Sequence, residues 1–391
     1  MPKTKFVPEK LSNGSFASAG LNDKQFNQLF NRIEKAQKKA RRNAKRTLKP
    51  STLTNPTPKA LKALGEKAKG QRFTKEDLQR FDKNRQRHKE KYDSRTAGIT
   101  HAFLVKNSRE IDIKRANDQV DDGTGITQAN FYAIKGNIAQ INVRASIGSK
   151  HQNHRVKVRF EQWDELIQSP PKGDYQKAVQ LACAGRISFD CDCGRHQYWY
   201  RYLATMGNYA LAPPKEFAFP KIKNPELSGV ACKHVLKATT MLQSLAWQRI
   251  LATQMKAQAK RVGFGSDSRT HFLSDDEKKA ASKNRKTKVN VDEAQRAHKK
   301  YERSQAAMAR ELEKRKRDGQ RSIKQARKIR KQSNLIKKQE QQLTAQRDML
   351  RVGFKNFHDG YKLQGKSRDE AVKDYAKMFD VSASQLEKVI K

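Results

Sequence analysis

The sequence predicts an α+β fold: a small antiparallel sheet with a zinc-stabilised core, flanked by long basic helices and arms. Three observations carry this expectation. Apolar residues alternate with period two only between residues 98 and 250, the spacing of half-buried strands. On either side the chain is rich in Lys, Arg, Glu, Gln and Ala, with apolar residues at helical spacing. Finally, Cys191-Asp-Cys193 and Cys232-Lys-His234 form two pairs of soft donors, enough for one tetrahedral site.

Composition sets the scale. The chain has 391 residues, 36% hydrophobic and 32% charged, too polar for one large globule and suited to roughly two or three domains. Trp163, Trp199 and Trp247, the three tryptophans, place the packed region. The division expected is a basic arm with helices over 1–97, a β-rich core over 98–250 with the metal site within 150–245, a long basic helical region over 251–353, and a helical hairpin over 354–391. Four cysteines without an apolar leader segment point to a reducing compartment. No run approaches the roughly 20 apolar residues of a membrane span, so no membrane partner is expected.

Taken in order, residues 1–20 read as a flexible arm. A helix is expected from Asn22 to about Thr47, with Phe26, Leu29, Phe30 and Ile33 on one face. Prolines 50, 56 and 58 break the chain. Short helices follow at 58–68 and 74–92, the second with Thr74 and Asp77 as a loose capping box. After Gly98, the runs Phe103–Val105, Ile111–Ile113, Phe131–Ile134, Ile138–Val143 and Val156–Phe160 read as strands. Lys177–Cys183 and Arg186–Phe189 read as a hairpin about Ala184-Gly185, leading into the first cysteine pair. A helix from His234 to about Arg261 ends at Gly263-Phe-Gly265. Over 274–350 a long helix is expected, interrupted at Gly319. Ile329, Ile336, Leu343 and Leu350 recur every seven residues, but the second apolar position of each heptad is polar, which suits a partner packed along a narrow stripe better than a coiled coil. At the C-terminus Ser367 and Glu370 form a capping box. Ala371, Val372, Tyr375 and Met378 form one apolar face, and Val381, Leu386, Val389 and Ile390 a second.

Charge points to a polyanionic partner. The 84 basic and 40 acidic residues give a net +44, and it sits on the flanks. Residues 1–100 carry +17, 101–240 carry +7, and 241–350 carry +17. In the first run, Lys35, Lys38, Lys39, Arg41, Arg42, Lys45 and Arg46 are offset only by Glu34. Lys324, Arg327, Lys328, Arg330 and Lys331 form a second run. These twelve residues are the expected nucleic-acid contacts, binding by counterion release.

The metal site follows from spacing. In a strand, residues two apart point to one face, so Cys191 and Cys193 can offer two thiolates to one ion. Cys232 and His234 open an apolar helical stretch and supply two more donors. Three thiolates and one imidazole fill the shell of a structural zinc. Cys183 reads as a small buried hydrophobe and His196 as a surface residue or a support for the donors, with competition for the site by Cys183 or ligation by His196 as the alternatives. The aromatic run Tyr198, Trp199, Tyr200 and Tyr202, with Arg195 and Arg201, reads chiefly as core beside the metal, with stacking on single-stranded bases as the alternative.

At these residues the chain resembles a SWIM-type zinc finger, whose CxC…CxH donors sit on a ββα unit. The resemblance runs through Asp190-Cys-Asp-Cys-Gly194 and Gly229-Val-Ala-Cys-Lys-His-Val-Leu236 and covers about residues 150–245. The segment from Tyr198 to Glu226 is also similar to SWIM-like segments in structural proteins of tailed phages. The two pairs are separated by 38 residues, 194–231, longer than the family pattern, so this aromatic, proline-rich insert is expected to form its own lobe. The resemblance implies one structural zinc ion, nucleic-acid or protein binding, and a place in a virion, in contact with packaged DNA and other virion proteins or further copies of itself. The alternative it implies is a cellular regulatory or recombination accessory protein.

Gly360-Tyr-Lys-Leu-Gln-Gly-Lys-Ser367 matches the phosphate-loop pattern letter for letter. Only 24 residues follow it, with no parallel strand and no acidic residue placed for magnesium. Gly360 and Gly365 are read as turn residues and Ser367 as a helix cap. Asp121 and Asp122 read as a loop pair without partners. No catalytic residues and no small-molecule substrate are expected.

Overall fold

The computed structural model describes residues 6, 7, 9, 11, 12, 16–18, 20–42, 48, 52, 53, 56–92, 94–211, 215–261, 269–282, 287–317 and 323–390. The chain forms two compact units, Met1–Glu313 and Lys314–Lys391. The expected breaks at Gly263–Gly265 and Gly319 lie outside the described residues.

The first unit is built on a six-stranded sheet. In chain order its strands are β3 (Ile99–Thr100), β4 (Ala129–Lys135), β5 (Ile138–Arg144), β6 (Asn153–Phe160), β7 (Arg186–Cys191) and β8 (Thr270–Phe272). They lie in the order β3-β7-β6-β5-β4-β8, and every neighbouring pair is antiparallel. A separate two-stranded ribbon pairs β1 (Glu66–Ala68) with β2 (Gln71–Arg72). Alternation decides the inner face: Ala139, Ile141 and Val143 of β5 and Val156, Val158 and Phe160 of β6 are all fully buried, two residues apart as the pleat demands.

Helices pack on and around the sheet. Counting from the N-terminus, α1 is Asp23–Arg42, α2 Pro58–Ala63, α3 Lys75–Lys91, α4 His101–Lys106, α5 Glu110–Ala116, α6 Trp163–Gln168, α7 Tyr175–Ala184, α8 Arg201–Met206, α9 Lys233–Met241, α10 Leu245–Arg261, α11 Asp275–Ser282 and α12 Val291–Arg317. Every residue of α9 is buried, as expected of a helix lying against the middle of a sheet. Trp247 of α10 stacks on Phe131, and Trp163 stacks on Phe160. The Trp163 indole donates to Gln258 at 2.8 Å, and Gln258 in turn donates to the Gly136 carbonyl. The Trp247 indole donates to the Ala281 carbonyl at 3.2 Å, so neither buried tryptophan leaves an orphan N–H. The core also draws on residues outside 98–250, from Leu48, Phe73 and Phe81 to Leu273, Ala294 and Tyr301.

The outer face carries α1. Phe26, Leu29, Phe30 and Ile33 are buried as their spacing predicts. Phe26 stacks on Tyr132, and the Arg155 guanidinium lies 5.0 Å from the Phe30 ring. Residues 43–47, the rest of the expected helix, lie outside the described residues. The arm before α1 is not all loose: Phe16 bridges to His151 and packs with this cluster.

Several expected strands are helices. Phe103–Val105 lies in α4, capped by Thr100, and Ile111–Ile113 lies in α5. In the second run a period-two reading would face the isoleucines inward, yet the buried residue is Asp112, 1% exposed. Lys177–Cys183 lies in α7, N-capped by Asp174 and stopped at Gly185, so β7 pairs with β6 rather than with this segment. Short apolar runs do not separate the two periods by themselves; here caps and alanine content favour the helix. The single helix expected from His234 to Arg261 is two, α9 and α10, divided by a turn at 242–244. The helix expected over 58–68 ends at Ala63 and gives way to β1. The capping box of α3 at Thr74 and Asp77 is formed.

In the second unit, α13 (Ile323–Leu363) is followed by α14 (Arg368–Met378) and α15 (Ala383–Ile390). Phe354, Ala371, Val372, Tyr375, Ala376 and Leu386 make its core. The Ser367–Glu370 capping box opens α14. Met378 and Val381, expected on apolar faces, are 67% and 41% exposed. Gly360 lies within α13, so its backbone is committed to helix and forms no phosphate-cradling loop.

Two histidines of the first unit give it a defined acid response. His88 and His101 are 5% and 4% exposed, and burial holds both imidazoles down to about 4, from an ordinary 6.5. The unfolded chain therefore takes up protons that the folded chain refuses. Their contribution is complete above pH 6.5 and is lost as pH falls toward 4, by roughly 3 kcal/mol for each residue. Chemical denaturation across this window should show a shallower loss of stability in His88→Gln and His101→Gln than in the wild type. An equal slope would mean that these imidazoles are solvated.

Candidate metal centre

The two donor pairs converge. Cys191 ends β7 opposite Val156 of β6, and Cys193 lies in the turn that follows. Cys232 is the N-cap of α9 in extended conformation, and His234 is the second residue of that helix. The strand end and the helix start thus face each other across the inner side of the sheet. One ligand atom from each of the four residues lies within 4.8 Å of the others, and all four residues are buried. Around an ion about 2.3 Å from each sulfur, tetrahedral neighbours stand about 3.8 Å apart, so the cluster could hold a single metal ion. Among the described residues it is the one such group.

The chemistry of the donors fits a cation. Burial drives the Cys191 thiol well above its ordinary range, reinforced by the neighbouring Cys193 and Cys232. Burial acts the same way on Cys232, but hydrogen bonds from the Cys191 and Cys193 thiols and the Val235 amide outweigh it and hold Cys232 well below the usual thiol range. Cys232 is thus the sulfur that favours negative charge in a dry site. Burial also keeps His234 neutral, its pKa lowered despite the facing Cys193 sulfur, and a neutral imidazole is the ligand form. Neither ring nitrogen of His234 has a hydrogen-bond partner of normal geometry, although the residue is 3% exposed. Orphaned nitrogens of this kind are costly unless a metal takes the lone pair.

The surroundings fix the donors. The His196 amide donates to the Cys193 sulfur at 3.2 Å, and its ring nitrogen Nε2 sits 3.2 Å from Asp190 Oδ1. The Arg201 guanidinium donates to Asp190 at 2.9 Å and to the Cys191 carbonyl at 3.3 Å. His154 packs 4.6 Å from the His234 ring and is anchored by Asp192 at 2.7 Å. Asp192 also accepts from the Arg155 amide. Lys233, 9% exposed, donates to the Thr124 carbonyl and the Ser146 hydroxyl. Three thiolates around a divalent ion would leave one net negative charge, and Lys233 lies close enough to feel the Cys193 and Cys232 sulfurs.

The open alternatives now separate. Cys183 lies in α7, outside the cluster, and burial raises its pKa. His196 holds Asp190 and lies outside the four donors. The aromatic run divides: Tyr200 and Tyr202 are core at 0% and 4% exposure, and Arg201 is core with them, whereas Tyr198 is 54% exposed. The Arg195 and Arg109 guanidiniums lie 3.9 Å and 5.0 Å from the Trp199 ring. The insert 194–231 is no separate lobe, since Tyr209, Phe219, Leu227 and Val230 belong to the main core. Sequence reasoning missed Asp112, which accepts from the Tyr200 hydroxyl at 2.5 Å with Arg195 3.6 Å away. It also missed Lys233, although that residue stands between two donors in the motif itself. Asp122, expected without a partner, pairs with Arg115 at 3.0 Å.

Of the expected nucleic-acid contacts, Lys35 and Lys39 are exposed on α1. Lys38, Arg41 and Arg42 lie on α1, and Lys324, Arg327, Lys328 and Arg330 on α13, but their side chains are outside those described, as are Lys45 and Arg46 altogether. Lys331 is half-buried on α13. The structure brings α1 against the metal turn: Gln37 donates to the Asp192 carbonyl, and Glu34 lies 3.8 Å from Arg155 and 4.0 Å from Lys157.

Comparison with family models, with curated proteins and with solved structures finds no match to this chain. Among the described residues no helix is long and apolar enough to cross a membrane.

The cluster makes a discriminating prediction. Elemental analysis of folded protein should give about one metal ion per chain. Cys191→Ser and Cys232→Ser should lose it and unfold, while Cys183→Ser keeps it. Retention of the metal by Cys232→Ser would remove that residue from the site.

Proposed function

We propose that the Cys191, Cys193, Cys232 and His234 cluster is a SWIM-type structural zinc site, and that the protein is a non-enzymatic structural component contacting nucleic acid. The observation that carries the metal assignment is the meeting of three buried sulfurs and one buried imidazole within 4.8 Å. Soft donors in that number favour zinc over magnesium or calcium, and four protein ligands complete a tetrahedron without an open position for substrate. The antiparallel β6–β7 pair followed by α9 supports the ββα reading. It departs from a simple finger in two respects: α6 and α7 interrupt the hairpin, and 38 residues separate the donor pairs.

The nucleic-acid role rests on the net charge of +44 and on exposed lysines of α1 set against the zinc-bearing turn. The specific role proposed is that of a tailed-phage virion component facing packaged DNA, following the resemblance of the insert. A SWIM-type regulatory or recombination accessory protein is the alternative.

Three measurements separate these readings. Metal-stripped protein should refold with Zn2+ and fail to refold with Mg2+. Affinity for nucleic acid should fall with salt at a log–log slope of about −4 or steeper, the signature of about five phosphate contacts; a flat response would refute the electrostatic reading. Mass spectrometry of purified particles should find several copies per virion, and their absence would leave the accessory role.

A further inference from the structure

The metal turn and α1 enclose a groove of about 520 Å3, lined by Arg32, Gln37, Lys150, Asp192, Gln197 and Tyr198 among others. The volume lies within the roughly 300–1,000 Å3 of ligand pockets. Three features of its lining point to one kind of occupant. First, Tyr198 stands 54% exposed at the groove while its neighbours Gln197 and Tyr200 are buried, so an aromatic face is presented to whatever enters. Second, Gln197 is 6% exposed and its side-chain amide Nε2 has no acceptor. A buried donor without a partner is rare in folded proteins, and a rotation of this side chain toward the groove would bring it to a base carbonyl or phosphate oxygen entering there. Third, the charge is complementary to a polyanion. Arg32 and Lys150 are exposed at its rim. The lone carboxylate in the lining, Asp192, already has one oxygen on His154 and the other on the Arg155 amide. On α1, Arg32, Ala36 and Lys39 fall on one stripe by helical spacing, so the cationic edge continues past the groove.

We propose that this groove binds a single-stranded nucleic-acid segment, with one base stacked on Tyr198, its edge accepting from Gln197, and the adjoining phosphates held by Arg32, Lys150 and Lys39. Stacking on an aromatic face takes any base, whereas a duplex keeps its bases inside the helix, out of reach of Tyr198. This inference rests on the nucleic-acid reading above but names a surface and a strand form that the charge alone does not.

The test is fluorescence anisotropy of full-length, metal-replete protein with a fluorescein-labelled oligothymidylate of about 15 nucleotides, a site size typical of such grooves, and with a duplex of equal length. Wild type should bind the single strand more tightly. Tyr198→Ala, at an exposed position that leaves the core intact, should weaken it about tenfold, and Tyr198→Phe should retain it. Arg32→Ala should lower the salt slope by about one. Oligothymidylate binding that persists unchanged in Tyr198→Ala would overturn the groove and leave the broader reading standing. Tighter binding of the duplex would overturn the strand preference. Displacement of the oligonucleotide by polyglutamate at equal charge concentration would assign the groove to an acidic protein instead. No binding of either oligonucleotide would sink the nucleic-acid reading itself.

Discussion

Four donors from two segments 38 residues apart meet at one buried point, and that convergence constrains everything around it in the first unit. For Cys191 to reach Cys232, the end of β7 must lie over the start of α9. For both sulfurs to be dry, the intervening insert must fold back as core. Tyr209, Phe219 and Val230 do so, which is why the insert is part of the sheet's packing. Without a cation the same geometry crowds three sulfurs and an unpartnered imidazole into a space from which water is excluded, an arrangement a folded chain retains only if something offsets it.

The polar groups nearby follow from the same low-dielectric setting. Asp190 is held by Arg201 and His196, Asp192 by His154 and the Arg155 amide, and Asp112 by Tyr200 with Arg195 close by. Each carboxylate is partnered, as a group withdrawn from water must be. Each also sits within a few residues of a donor in sequence or touches the turn that carries one. The network therefore serves two ends at once: it removes unpaired charge, and it fixes the strand end and helix start that aim the sulfurs.

The outer face of the sheet carries a different kind of contact. There α1 uses its first three turns for apolar packing and its later residues for charge, with Gln37 and Glu34 at the changeover tied to the metal turn and to β6. An ordinary amphipathic helix thereby places basic residues beside a packed loop that carries the Cys193 sulfur. A rigid support loses less conformational entropy on binding than a free arm does, which is the physical interest of the groove between them.

Spacing alone determined a good deal. The two donor pairs, the apolar stripe of α1, strands β4, β5 and β6, and the capping boxes at Thr74 and Ser367 all follow from local rules: period two, period 3.6, and a hydroxyl three residues before a carboxylate. What local rules could not decide was the state of short apolar runs such as Phe103–Val105 and Lys177–Cys183, where strand and helix fit equally well until caps and neighbours choose. Nor could they show that the inward residue of Ile111–Ile113 is Asp112, because a buried carboxylate is favourable only once Tyr200 and Arg195 arrive from 80 residues or more along the chain. The same reason hid the division of the aromatic run, in which Tyr200 and Arg201 turn inward and Tyr198 outward. Sequence named the four clustered donors because their chemistry is rare; only tertiary contact could say which tyrosine faces water and which carboxylate is enclosed, because burial is a property of the whole packing.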